Sequence, residues 1–267
     1  MLNYLRADLY RLRRSGVAAG VLLFIVGFCL FFIGMNVVIA LSAGEPISGV
    51  DFPNALDTTA EISFLSGFLP LFASYAPTYL IASDWKAGGF KTVLAGSGAR
   101  SGYAASKVAV GALFTLVIPG VMLACFGLVP WLLGMHIESV ASASQLLMWW
   151  GLASLVGFAY TVVCTLCAIL SRGETLAWVS TMFVGLGIVG NGFMLLFGMV
   201  AAFLPPATGF AQIAIDNLLY AQAMTLGNGA SFVTQDAGTL VHTALVAVGW
   251  AVAAGALGWI VFRRKTL

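Results

Sequence analysis

Charged side chains are scarce in this 267-residue chain, because only 8% of its residues are Asp, Glu, Lys or Arg. None of them falls within six apolar runs, at residues 17–42, 62–82, 108–133, 145–170, 176–204 and 239–262. Ionisable groups inside a membrane are costly and usually mark ion or proton pathways. Their absence from the runs disfavours a proton-driven or sodium-driven transporter and a charge-lined ion channel.

Motifs for several other chemistries are also missing. The chain has no GxxxxGK[ST] stretch and no soluble segment that would hold a nucleotide-binding domain, so an ATPase would have to be a separate chain. All four cysteines lie within the apolar runs, where disulfides are not expected. Cys164 and Cys167 have CxxC spacing but no second pair and no accompanying His, so we interpret them as packing residues. We expect no metal and no cofactor to be bound by this chain.

Apolar residues are what the chain has in abundance, at 61% of the sequence with a mean hydropathy of +1.01. This composition is typical of a polytopic membrane protein. Each of the six runs reaches the roughly 20 residues that a helix needs to cross the hydrocarbon layer, and helices satisfy the backbone in lipid. The predicted fold is all-α, a single transmembrane domain over 1–267 with six membrane-spanning helices.

The basic residues are distributed unevenly between the two predicted sides of the membrane. Six crossings place both termini on one side, and all twelve Lys and Arg residues fall on that side. Cytoplasmic loops carry an excess of Lys and Arg, so we expect both termini to be cytoplasmic in a bacterial cell membrane. Membrane lipids are the expected surroundings, and no nucleic-acid partner is implied.

The first fifteen residues have a helical pattern of their own. Leu2, Leu5, Leu9 and Leu12 recur at helical spacing while the arginines take other faces. We predict an amphipathic helix over 1–15 that lies in the cytoplasmic interface. The open alternative is a basic segment that merely orients the first crossing.

The loop between the second and third runs gathers four of the twelve basic residues. Asp84 is placed to cap a short helix, Phe90 and Leu94 would share one face, and Gly96 and Gly98 would end it. We predict a docking helix over 84–98 for a cytoplasmic protein. An ordinary loop whose positive charges serve topology remains the alternative.

The same loop resembles the loop after the second crossing of type-2 ABC exporter permeases. The residues that carry the resemblance are, in order, Asp84, Gly88-Gly89-Phe90-Lys91, Leu94, Arg100 and Lys107. The amphipathic start, the six crossings and the length fit the same family, so the resemblance covers the whole chain. Within the family, the chain is most similar to permeases of bacteriocin-immunity and peptide-antibiotic-resistance exporters. It departs from the family pattern at three positions. Asp84 stands where Glu is usual, Gly89 where Thr is frequent, and Ser97 where Pro is common.

This resemblance implies a permease subunit that is not an enzyme by itself. It implies pairing with an identical or homologous second permease, and binding to an ABC ATPase, in two copies, that uses ATP and Mg. The loop would form the coupling helix. The implied coupling residues are Asp84, Trp85, Lys86, Phe90, Lys91, Leu94 and Arg100.

Glycines recur along one side of the first run, at Gly20, Gly27 and Gly34, where they would let another helix approach. The fifth run is also rich in glycine. Because the resemblance places these two helices at the subunit interface and the transport path, it implies substrate contacts near Asn36, Asn191 and Met194. Packing of helices inside one subunit is the alternative for the glycines.

Two further features concern shape. Pro70 and Pro77 in the second run, with Pro119 and Pro130 in the third, favour kinks in the helices that flank the docking loop. Residues 205–238 are too broken to cross, so we expect an extracellular loop with a short, partly buried helix.

Taken from the resemblance, the expected function is ATP-driven export of an amphipathic or hydrophobic substrate such as an antimicrobial peptide, a drug or a lipid. A membrane scaffold that recruits a cytoplasmic protein is the main alternative, because docking does not require transport. A stand-alone intramembrane enzyme is a further alternative, although no nucleophile with a matching base is evident.

Overall fold

The computed structural model describes residues 2–88, 99–137, 141–171 and 173–264. Over these residues the chain is almost entirely helical, which confirms the all-α prediction. The helices are α1 (Leu2–Ser15), α2 (Val17–Ser42), α3 (Ala55–Ala60), α4 (Phe68–Lys86), α5 (Ala99–Leu132), α6 (Ala143–Leu170), α7 (Glu174–Gly185), α8 (Ile188–Phe203), α9 (Thr208–Asp216), α10 (Leu219–Leu226), α11 (Gly229–Val233) and α12 (Ala237–Arg264). A π-helical turn, Glu61–Leu65, and two short 3-10 turns, Ile47–Gly49 and Pro205–Ala207, complete them.

Four of these helices, α2, α5, α6 and α12, are long and apolar enough to cross a membrane by themselves. Two further crossings are possible only as bent pairs. Ala55–Leu65 and Phe68–Lys86 meet at 57°, and Glu174–Gly185 and Ile188–Phe203 meet at 54°. The runs at 62–82 and 176–204 are therefore broken helices rather than the continuous ones that the sequence predicts.

Both breaks occur at glycines with a left-handed backbone, Gly67 (φ 67°) and Gly187 (φ 73°). The two broken regions also pack against each other. A Cβ added at Gly185 would lie 3.0 Å from Leu71 Cα, and one at Gly67 would lie 3.0 Å from Leu186 Cα. The sharp bend of the second run thus comes from Gly67 and not from its prolines. In α5 the helix continues through Pro119 and Pro130 to Leu132.

The helix α6 lies at the centre of the bundle. In its most apolar 18-residue stretch, 67% of the residues are buried. It packs against α4, α5, α7 and α12. The approach to α5 is close at Gly111, where an added Cβ would overlap Thr161 Cγ2. By contrast, only 22% of the residues are buried in the corresponding stretch of α2 and 17% in that of α12. These two helices, and α8, form the outside of the bundle.

A small cap covers the end of the bundle where residues 205–238 lie. The sequence predicts a loop with one short helix here, whereas the structure has three short helices, α9 to α11. The α10 side chains Leu219 and Leu226 are buried. Trp149 Nε1 donates to Leu226 O at 3.0 Å, and His242 Nε2 lies 3.1 Å from Asp216 O. Next to the cap, Asp51–Phe52 pairs in parallel with His136–Ile137.

We expect Gly185→Ala to destabilise the protein, because its Cβ would meet the backbone of Leu71. An overpacked contact of this kind costs about 1–3 kcal/mol. Gly192→Ala in α8 is the control, since an added Cβ there meets nothing within 4 Å. The measurement is the midpoint of thermal unfolding in detergent. An equal shift in the two variants would contradict the packing of the two breaks.

Candidate functional site

The most strongly charged interior position is at the end of the bundle formed by α1, the last turn of α4 and the first turns of α5. We call this end the basic end, because the sequence concentrates Lys and Arg there. Its core is an ion cluster made of Asp8, Arg11, Asp84, Tyr103, Ser106 and Lys107. The cluster joins three helices that are far apart in sequence.

The helix α1 is seated on α5 through one of its faces. Asp8 and Leu12, one turn apart, are 3% and 2% exposed. Leu2 and Leu9, on the flank of this face, are exposed. This arrangement is compatible with the predicted interfacial helix, but it adds a buried carboxylate that the sequence analysis gave no role.

Lys107 is the centre of the cluster and is 1% exposed. Its Nζ lies 2.6 Å from Asp8 Oδ1 and 3.7 Å from Asp84 Oδ2. The ammonium also stands over the Tyr103 ring, 4.4 Å from the centroid. Ser106 Oγ donates to the other oxygen of Asp8 at 2.7 Å. The buried ammonium and the buried carboxylate therefore satisfy each other.

Arg11 links the cluster to the end of α4. One of its amino groups lies 2.8 Å from Asp84 Oδ1 and donates to Ser83 Oγ at 2.9 Å. Partial burial lowers the pKa of Arg11, but the hydrogen bond and charge of Asp84, with the charge of Asp8, raise this pKa by more. Arg11 thus keeps its charge. Two cations then balance two carboxylates, so the cluster has no net charge.

The cluster holds together the two ends of the connector, which we define as residues 87–98. Asp84 precedes the connector, and Tyr103 Oη, after it, donates to Asp84 Oδ2 at 2.9 Å. Lys107 reaches across to the same carboxylate. The cluster therefore ties α4 and α5 to each other beside the connector and, through Asp8 and Arg11, to α1.

The predicted docking helix over 84–98 does not start where the sequence suggested. Asp84 lies in the last turn of α4, which continues to Lys86, and does not cap a new helix. Phe90, Lys91 and Leu94 lie outside the described residues. Arg100 belongs to the first turn of α5, which begins nine residues before the predicted run at 108–133.

The other two predicted coupling residues flank the cluster. Trp85 Nε1 donates to Ala168 O at 3.4 Å, which ties the end of α4 to the end of α6. Lys86 Nζ lies 3.8 Å from Glu174 Oε2, and both side chains are largely exposed. Trp85 thus has a packing role beside the connector, whereas the Lys86 pair contributes little.

The residues predicted to contact substrate do not share one cavity. Asn36 is on α2, where its Nδ2 donates to Phe32 O at 2.8 Å. Asn191 and Met194 are exposed on α8, a helix without a buried residue. Because α2 packs on α1, α4 and α5 while α8 packs on α7, α9 and α10, the three residues lie on two separate outer faces.

The predicted packing glycines of α2 do not contact another helix within the part of the chain that the structure describes. A Cβ added at Gly20, Gly27 or Gly34 would meet no described atom within 4 Å. Their side of α2 is therefore open, and the alternative of packing within one subunit finds no support. In the fifth run, Gly187 and Gly190 face the Tyr220 ring instead.

No protein-family profile matches the chain, and no curated protein matches it significantly. Among the described residues, no group of three His, Cys, Asp or Glu side chains is arranged to hold a metal ion. The ion cluster is an arrangement of the described residues that the sequence pattern does not predict. Its signal was Asp8, the single acidic residue among the arginines of 1–15.

We expect Lys107→Met to lower stability by about 3–5 kcal/mol, because it leaves the Asp8 carboxylate buried without its partner. The double variant Asp8→Asn with Lys107→Met should recover a large part of this loss. Lys86→Met is the control, with an expected change below about 1 kcal/mol for an exposed pair. Thermal unfolding in detergent measures these three variants and Asp8→Asn alone. Additive effects of the two cluster substitutions would show that Asp8 and Lys107 do not act as a pair.

Proposed function

We propose that the chain is the permease subunit of an ATP-driven ABC exporter. Each bent pair would form one crossing, which gives six spans, with both termini and the connector in the cytoplasm. Two such permeases, identical or homologous, would bind two ABC ATPase subunits, which hold the ATP and Mg. The substrate would be amphipathic or hydrophobic, such as an antimicrobial peptide, a drug or a lipid.

The observation that carries the proposal is the ion cluster that binds both ends of the connector to α1. A docking segment transmits force only if its ends are firmly attached to the helices that must move. Buried charges provide a firm attachment, because separating them leaves each one unpaired in a poorly hydrated site. The cluster therefore suits a connector that receives a push from a separate motor.

The absence of charge in the apolar runs supports the same proposal, because an exporter without its own ion pathway needs another energy source. The basic residues around the connector support the cytoplasmic orientation. A scaffold that recruits a cytoplasmic protein would use the same connector without motion. Transport coupled to ATP hydrolysis separates the two functions.

The orientation is tested by labelling single cysteines with a membrane-impermeant maleimide in intact bacterial cells. In a variant without native cysteines, Ser48→Cys should be labelled from outside, since this exposed position lies before α3 at the capped end. Ala87→Cys, at the start of the connector, should be labelled only after permeabilisation. Labelling of Ala87→Cys in intact cells would overturn the proposal.

The coupling is tested in vesicles that contain the chain and the ATPase that copurifies with it. We expect Asp84→Asn to reduce both transport and the stimulation of ATP hydrolysis by about fivefold or more, the range of a coupling energy of about 1–3 kcal/mol. Phe90→Asp should have the same effect through the docking surface. Insertion into the membrane should be retained in both variants.

Asp216→Asn is the matched control, because this exposed carboxylate accepts from Gln212 at the opposite end of the bundle. It should leave transport and ATP hydrolysis unchanged. Full activity of both Asp84→Asn and Phe90→Asp would contradict the coupling role. A chain that binds a cytoplasmic protein but transports nothing with any copurified ATPase would favour the scaffold.

A further inference from the structure

A furrow runs along the seam between α5 and α6. It consists of two cavities in line. The first, of about 210 Å³, lies at the basic end, where α12 closes it with Gly255 and Gly258. The second, of about 310 Å³, continues along the same two helices between Thr115 and Ser154.

The two cavities form one track because their lining residues continue the same helix faces. On α5 they follow one another from Ser101 to Leu116 at steps of three or four residues. Fifteen residues of helix span about 22 Å. One leaflet of a bilayer, with half of the hydrocarbon layer and its interfacial region, measures about 20–22 Å. The furrow therefore has the length of one lipid leaflet.

The lining is apolar apart from a few hydroxyl groups, and two of these have no hydrogen-bond partner among the residues that the structure describes. Thr165 Oγ1 belongs to the first cavity and Ser154 Oγ to the second, and both residues are buried. An unpaired polar group in such surroundings is costly. A hydroxyl in a membrane helix usually bonds to a carbonyl of the preceding turn, so these two groups are available to a ligand.

Charge identifies the kind of molecule that fits. Arg100 directly precedes Ser101 in α5, and Arg263 and Arg264 follow Trp259 within the last turns of α12. Guanidinium-bearing residues thus stand at the basic-end termini of two of the three helices that line the first cavity. Guanidinium groups recognise phosphate well, so arginines at these helix termini favour a ligand with an anionic headgroup.

The depth of Thr165 agrees with the same ligand. It lies five residues before the end of α6 at Leu170, which is about 7.5 Å along the helix axis. The interfacial layer of a bilayer is about 5–7 Å thick on each side. Thr165 is therefore level with the region where the ester groups of a phospholipid meet its acyl chains.

We propose that the furrow binds one acyl chain of an anionic phospholipid from the leaflet at the basic end. The phosphate lies at the helix termini that carry the arginines, an ester carbonyl accepts a hydrogen bond from Thr165, and the chain follows α5 and α6 toward Ser154. This site is independent of ATP-driven export, and a failure of the exporter proposal would not affect it.

The experiment uses the purified full-length chain in vesicles that contain phosphatidylglycerol with a photoreactive diazirine near the ester end of one acyl chain. Mass spectrometry then maps the labelled residues. We expect labelling in the segments 162–169 and 254–259. A phosphatidylcholine probe with the same chain should label them about tenfold less. Equal labelling by the two lipids, or no labelling of these segments, would overturn the proposal.

Gly255→Leu should fill the first cavity and reduce labelling by phosphatidylglycerol about tenfold, which corresponds to about 1.4 kcal/mol of binding. A Cβ at Gly255 meets Val162 only at 4.0 Å, an ordinary contact, so the helix itself is not displaced. Gly249→Leu, on the same helix but lining another groove, should leave the labelling unchanged. Equal labelling of wild type and Gly255→Leu would contradict the site.

A second variant separates lipid binding from a structural role. Thr165→Val keeps the shape of the side chain and removes only the unpaired hydroxyl. It should reduce labelling severalfold without lowering the thermal midpoint in lipid-free detergent. A lower midpoint with unchanged labelling would show that the hydroxyl serves the fold, and the proposal would fail. It would also fail if Gly255→Leu changed the oligomeric state while no lipid labelled the furrow.

Discussion

The buried pair of Asp8 and Lys107 is the interaction on which the basic end depends. Among the described residues, the other charged side chains within reach of this pair are Asp84 and Arg11, which already pair with each other. Moving α1 away would leave an ammonium and a carboxylate in a site that water scarcely enters, at a cost of several kcal/mol. The amphipathic helix is therefore part of the bundle and not only an anchor at its surface.

The helix α4 connects this ion cluster to the two broken regions. It runs from Gly67, where the second run bends and contacts the break of the fifth, to Asp84 beside the connector. Nineteen residues of helix span about 28 Å. Because both ends of α4 are fixed by close contacts, a tilt of this helix at one end must also change the packing at the other. The fold thus contains a mechanical link between its two ends.

Hydropathy predicted the positions of the helices well, because burial in lipid requires long apolar runs and little else. The bounds of Val17–Ser42 agree with the predicted run without change. The breaks at Gly67 and Gly187 were missed, since they depend on backbone conformation and leave the hydropathy of the run unaltered. Asp8 was missed for another reason: an acidic residue among arginines is equally compatible with a solvated face. Lys107 was assigned to a loop because of its charge, whereas its neutralisation by Asp8 lets α5 extend past it.

The helices are joined by hydroxyl contacts in the interior of the bundle and by buried ions at its basic end. Inside the spans, α4 is linked to α7 by Thr78 and Thr181 at 2.9 Å, and to α6 by Ser74 and Thr161 at 3.5 Å. Such hydroxyl contacts between membrane helices are worth about 0.6–2 kcal/mol each, and the groups find new partners in the same helix when they separate. Separating the buried ions of the cluster costs about 3–5 kcal/mol. Helices that rearrange would therefore slide first along their hydroxyl contacts, while the cluster keeps α1, α4 and α5 together as one moving unit.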